Sequence, residues 1–236
     1  MSVTEVFADS WQEQSVGLQK GLQKRTEVLS ELQQGFEVLS KTNHIKGRGA
    51  DNMKAYISEV HMSLIHVLLT TVETFQNAIG VYWGGYDQID SSGNFRLVND
   101  ELEQHVSNLK QGVVSTGEVA LKIEKITNSV SDIMSFEFAG ADRIREIQTS
   151  LDSMQQIAQN QKQNWEDYEN SDHGFDQVDK LISQIEYYLP RLGQVTVGQG
   201  RGYQPGSFGT TLQKLSTTVS AAEKYNEKKS KVANRT

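Results

Sequence analysis

The stretch HIKGRGADNMKAYISEVH, from His44 to His61, sets Gly47 and Gly49 beside Lys46 and Arg48 and then settles into a helical apolar rhythm. Upstream, Trp11, Leu18, Leu22, Leu29, Leu32, Phe36 and Leu39 fall on two positions of a seven-residue repeat, interrupted by Ser15 and Arg25. That is a narrow packing seam about four heptads long, against which another helix must lie. At 1.5 Å per residue such a helix runs for roughly 50 Å. Downstream, Met53, Tyr56, Ile57, Val60, Leu64, Val67, Leu68, Thr71, Val72, Phe75 and Ile79 step by three and four. Two seams of matching length joined by a few residues predict an antiparallel helical hairpin with its tip at residues 43–50. Gly47 and Gly49 are expected to supply the backbone angles of the turn.

Working outward, the second helix is expected to end around WGGYDQIDSSGN, where Gly84, Gly85, Asp90, Ser91, Ser92 and Gly93 read as a loop. A third helical run carries Leu97, Leu102, Val106, Leu109, Val113, Ala120, Ile123, Ile126, Val130 and Ile133, with bends at Gly112 and Gly117. A fourth carries Ile144, Ile147, Leu151, Met154, Ile157, Trp165 and Tyr168. A fifth, capped by Ser171 or Asp172, runs from Phe175 to Leu192. GQVTVGQGRGYQPGSFG breaks the pattern before a last helix through Phe208, Leu212, Leu215, Val219 and Tyr225, with a lysine-rich tail that frays from Lys224. The reading is an all-α, elongated chain: an N-terminal hairpin over 1–92 and a further helical stack over 93–236.

Composition agrees with thin helical packing. Only 36% of the 236 residues are hydrophobic and the mean hydropathy is −0.53, too little for a thick globular centre. Lysine and arginine total 23 against 30 acidic residues, with the signs mixed, so no basic stripe marks a nucleic-acid partner. The absence of cysteine excludes disulfides, thiolate chemistry and cysteine zinc sites. Glu5, Asp9 and Glu13 stand where a secretory signal would carry a basic patch, so signal-peptide export is not expected. The most apolar stretch, Leu64 to Trp83, contains His66, Glu73, Gln76 and Asn77; it reads as one helix face rather than a stable membrane insertion.

Chemistry is sparse. His61 and His66 are separated by about 140° on a helix, so they cannot share a metal, and His44, His105 and His173 are scattered. VGQGRGYQPG, residues 197–206, lacks the order of a phosphate-binding loop and has no strand before it. Carboxylates occupy polar helix faces, as in Glu227 with Lys231. No local serine, histidine and aspartate cluster points to a nucleophile. Neither catalysis nor a cofactor is expected.

The run from Phe36 to Leu64 resembles the amino-terminal LXG domain of effectors exported by the type VII (Esx) secretion system of Gram-positive bacteria. Ile45, Lys46 and Gly47 occupy the leucine-any-glycine turn, with isoleucine in the leucine's place; Ala50, Lys54, Ala55 and Tyr56 follow, and Glu59, Val60 and His61 complete the motif. YDQIDSSGNFRLVNDELEQHVSNL and, more loosely, GYQPGSFGTTLQKL are similar to later segments of that family. The resemblance implies a targeting module that binds small helical-hairpin (WXG100-like) proteins encoded beside it, forms a complex read by the secretion machinery, and leaves the cytoplasm by type VII export. It also implies that the toxic enzymatic domain of such effectors is missing here. Tyr56, His61 and Ile65 are expected at the partner interface, with Ile65 and His61 displaced from the seam and left to face outward. Tyr86 and Asp90 form a Y-x-x-x-D pair like the export signal of related hairpin proteins, and equally the aromatic end of a helix; Tyr168 and Asp172 make a second pair. A self-associating helical scaffold, a homo-oligomer through its apolar seams, and a complete small enzyme are the competing readings.

Overall fold

The computed structural model describes residues 5–90, 92, 94–131, 140–192 and 202–233. Among them are seven α-helices: α1 (Ala8–Lys41), α2 (Arg48–Tyr56), α3 (Met62–Ile89), α4 (Asn99–Val130), α5 (Gly140–Glu169), α6 (Phe175–Leu192) and α7 (Gly209–Ala233). The fold is all-α. A π-helical turn, Ile57–His61, joins α2 to α3 without a break, so a single helix runs from Arg48 to Ile89.

The corner lies where the sequence places it. Gly47 adopts φ 106° and ψ 161°, a region that essentially only glycine enters, and its carbonyl accepts the N–H groups of Ala50 at 2.8 Å and Asp51 at 3.0 Å. This glycine therefore begins α2. Gly49, expected to share the task, lies within α2 instead. The Lys54 ammonium returns to the Thr42 carbonyl and ties the exit of α1 to the entry of the next helix.

The chain divides into two compact units. One comprises residues 12–85 and 172–236. Its core gathers Val60 and Val67 from the long second helix, Leu181 and Tyr188 from α6, Tyr203, and Leu215, Val219 and Ala222 from α7. Two polar side chains inside it are linked: the Asn226 amide donates to Thr74 Oγ1 at 3.1 Å, and Thr74 donates to the Thr70 carbonyl at 2.7 Å. Asn226 is buried, so α7 stays ordered past Lys224, where fraying was expected.

The other unit comprises residues 1–11 and 86–171. Its helices α4 and α5 meet along a seven-residue repeat. Leu102, Val106, Leu109, Val113, Thr116, Ala120, Ile123 and Thr127 face Ile144, Gln148, Leu151, Gln155, Ala158, Lys162 and Trp165. Gly112 and Gly117, expected as bends, sit in an uninterrupted helix and permit close approach. A Cβ on Gly112 would meet Leu151 at 3.5 Å, and one on Gly117 would meet Gln148 at 2.8 Å.

Two further differences from the sequence reading are local. Leu97 is in a strand, not a helix: Glu5–Phe7 (β1) and Arg96–Val98 (β2) pair antiparallel, with Val6 opposite Leu97 and both buried. A three-residue ribbon has no periodicity from which to predict it. Gly84 and Gly85 are helical, because α3 continues to Ile89. Ile133 and most of the glycine-rich segment before Gly202 lie outside the described residues. By length and composition the helix Arg48–Tyr86 is long and apolar enough to cross a membrane, and 28% of its most apolar window is buried.

Candidate functional site

The sequence motif around the corner and the distant GYQPG segment converge on the π turn. Its extra residue is held by the Met62 N–H, which bonds back to the Ile57 carbonyl. Turns of this kind cluster at functional sites because they redirect side chains without ending the helix. Here they direct Glu59 and His61 to different neighbours.

Glu59 faces the C-terminal segment. Its Oε2 accepts the Tyr203 hydroxyl at 2.5 Å and the Gly206 N–H at 2.8 Å. The Gly206 N–H is aimed by a tight turn: Ser207 N–H bonds to the Gln204 carbonyl at 3.1 Å, with Pro205 and then Gly206 at φ 83° in the central positions. Proline followed by a positive-φ glycine is the arrangement of a type II turn. Burial, and then the hydrogen bond to the Glu59 carboxylate, raise the Tyr203 hydroxyl well above the ordinary tyrosine value, so it remains a donor.

His61 faces α1. Its ring stacks on Phe36 at 4.9 Å and meets the edge of Tyr56 at 4.9 Å. Tyr56 continues to Tyr203 at 5.2 Å, and Tyr203 to Phe208 at 6.1 Å. Burial lowers the His61 imidazole below 6.5, and burial raises the Tyr56 hydroxyl. A neutral imidazole enclosed by rings serves as an aromatic spacer, with its charge suppressed. Further along the same helix, His66 lies 3.0 Å from Glu223 of α7.

The remaining expected residues divide. Ile45, Lys46 and Gly47 are exposed at the corner, Ile45 at 42%. Ile65 is not left facing outward: it is 4% exposed. The expectation treated the hairpin as two helices with a wet side, whereas α3 also meets α6 and α7. One turn beyond His61, Ile65 continues the face that carries that ring against Phe36. Tyr86 and Asp90 belong to the other compact unit. Tyr86 is 1% exposed; its hydroxyl donates to Glu169, accepts Trp165 Nε1 at 3.4 Å, and its ring stacks on Phe95 at 5.2 Å. Asp90 closes the helix end by accepting the Ser92 N–H at 2.9 Å and the Ser92 hydroxyl at 2.7 Å.

Sequence reading missed the Glu59–Tyr203 pair, although it singled out both segments. The signal was an acidic residue inside the apolar run of a helix, opposite a tyrosine in a Pro-Gly loop. It also missed Gly174, at φ 101°, where a Cβ would stand 1.9 Å from the Tyr225 hydroxyl. That hydroxyl donates to the His173 carbonyl at 3.2 Å, and His173 lies 5.0 Å from the Tyr82 ring. Among the described residues no cluster of three or more histidine, aspartate or glutamate side chains could hold a metal ion. A shallow cleft of about 480 Å³ between α6 and α7, lined by Gln184, Tyr187, Tyr188, Lys214, Thr217 and Thr218, contains one cation and no acid–base pair.

The arrangement braces helices, with Glu59 tying the π turn to the Pro-Gly turn and His61 packing against α1. A family model described as the LXG domain of the WXG superfamily matches residues 8–203, most of the chain, and its last residue is the tyrosine that donates to Glu59. A search of curated proteins gives no match.

Proposed function

The chain belongs to the LXG domain family of the WXG superfamily, and from that premise we propose that it is a non-catalytic targeting domain of a type VII secretion effector. It binds small helical-hairpin proteins of the WXG100 type and leaves the cytoplasm with them as a complex that the secretion machinery engages.

The observation that carries this reading is the incomplete cover of α1. Within its repeat Leu22 is buried while Leu18 at 38% and Leu32 at 46% remain exposed, and outside the repeat Val28 at 56% and Val38 at 72% are exposed as well. A helix of 34 residues with this much apolar surface in water is stabilised by a further helix laid along it. At the end of the same helix, Ile45 and Lys46 present an apolar and a cationic group at the corner, where a partner hairpin aligned with α1 would reach. Glu59, His61 and the rings around them hold that corner in shape and do not themselves need to touch the partner.

The test is co-expression of the tagged chain with the small hairpin proteins encoded beside it, followed by size exclusion with light scattering. A stoichiometric complex is expected, and Leu32→Asp, on the exposed face, should dissolve it while leaving the melting temperature of the free chain unchanged. A chain that binds no such partner, or that forms only homo-oligomers through α1, would favour the self-associating scaffold instead.

A further inference from the structure

The α4–α5 pair has two unlike borders. On one, each residue follows a seam position: Glu103 and Glu124 of α4, with Arg145, Asp152 and Glu166 of α5. It is stitched by Arg145 to Glu124 at 2.8 Å and by Lys162 to Glu103 at 2.6 Å and Glu166 at 3.4 Å. On the other, each residue precedes a seam position, and in an antiparallel pair such residues from both helices lie on the same side. Val119 and Ile126 of α4 therefore share this border with Ile147 and Met154 of α5, and Ile157 flanks it. Their exposures are 43%, 63%, 51%, 51% and 66%.

Charge distinguishes this border from an ordinary exposed stripe. Between His105 and Val130, and between Gly140 and Asn164, no carboxylate occupies it or its outer flank. Lys122 and Arg143 stand on opposite outer flanks at nearly the same level, both exposed, with no ion pair among the described residues. The pair thus forms a shallow apolar trough edged by cations. A second copy of the same trough would set Lys122 and Arg143 against their own counterparts.

We propose that this trough of Val119, Ile126, Ile147 and Met154, edged by Lys122 and Arg143, docks an amphipathic helix of a partner protein whose apolar seam is bordered by carboxylates. The fit is that of a third helix completing a bundle, with charge selecting the partner and apolar contact retaining it. The site lies on a different element from the α1 face and does not depend on the function assigned to that face.

The experiment uses the full chain and two synthetic helical peptides with the same leucine seam, one flanked by glutamates and one by lysines, titrated by fluorescence anisotropy. The glutamate peptide should bind at least about tenfold more tightly at low ionic strength, with the preference collapsing near 1 M salt as the charges are screened. Ile147→Asp with Met154→Asp should abolish binding at unchanged helicity and melting temperature, and Lys122→Glu with Arg143→Glu should reverse the preference. Leu32→Asp, which tests the α1 face, should leave peptide binding intact. Equal binding of both peptides, binding retained in the Ile147/Met154 double variant, or dimerisation of the chain that this double variant removes would overturn the proposal.

Discussion

The Glu59 carboxylate and the Tyr203 hydroxyl meet at 2.5 Å across 144 residues of sequence, and the same oxygen also receives the Gly206 N–H. One side chain thus fixes the π turn of the N-terminal hairpin to the Pro-Gly turn that leads into α7. Tyr203→Phe removes one of the two bonds and should cost about 1 kcal/mol; Glu59→Ala removes both and should cost about 2–3 kcal/mol. The double variant should be less destabilised than the sum of the two, because they share a partner. Urea unfolding of the four proteins measures the coupling.

Gly174 and Gly47 should respond differently to alanine. Both have positive φ, but a Cβ on Gly47 meets open space whereas one on Gly174 strikes the Tyr225 hydroxyl. Gly47→Ala is expected to cost about 1–3 kcal/mol from backbone strain alone. Gly174→Ala should cost more, since overpacking adds about 1–3 kcal/mol, and Gly174→Ala with Tyr225→Phe should recover part of the loss. Thermal melts of the three variants decide it.

The lowered imidazole of His61 gives a pH dependence of definite sign. In the folded chain it takes up its proton only below 6.5, whereas the unfolded chain protonates it at the ordinary value. The unfolded state therefore binds more protons as pH falls, and stability is lost below about 6.5 while remaining constant above it. His61→Phe keeps the stacking on Phe36 and should remove this share of the slope when melting temperature is followed from about pH 5 to about pH 8.

Ile65 and Leu32 exchange the roles that a free-standing hairpin would assign them. Ile65→Asp buries an unpaired carboxylate and should destabilise by more than about 4 kcal/mol. Leu32→Asp, at 46% exposure, should stay within about 0.5 kcal/mol of the parent. Circular dichroism of both variants is sufficient to separate them.

Helices and their joints were legible because seven-residue and three-to-four spacing is a local signal. The corner at Gly47 could be read from composition alone. What could not be read was which helix face receives which neighbour. Ile65, one turn beyond His61, was assigned to solvent, whereas it is buried on the face that His61 turns toward Phe36 of α1. The β1–β2 ribbon is too short to show alternation. At the candidate site, Tyr56 and His61 were identified through family resemblance, whereas the roles of Glu59 and Tyr203 emerge only from their juxtaposition. The uneven borders of α4 and α5 are written in the sequence but acquire meaning only once their antiparallel register is known.

The most direct measurement of the central claim is backbone hydrogen exchange of the chain, alone and in the presence of a WXG-type hairpin partner. New protection is expected along α1, strongest around Leu18 to Val38 and extending to the corner at Ile45, with α6 and α7 unchanged. A complex that forms without slowing exchange anywhere on α1 would contradict it.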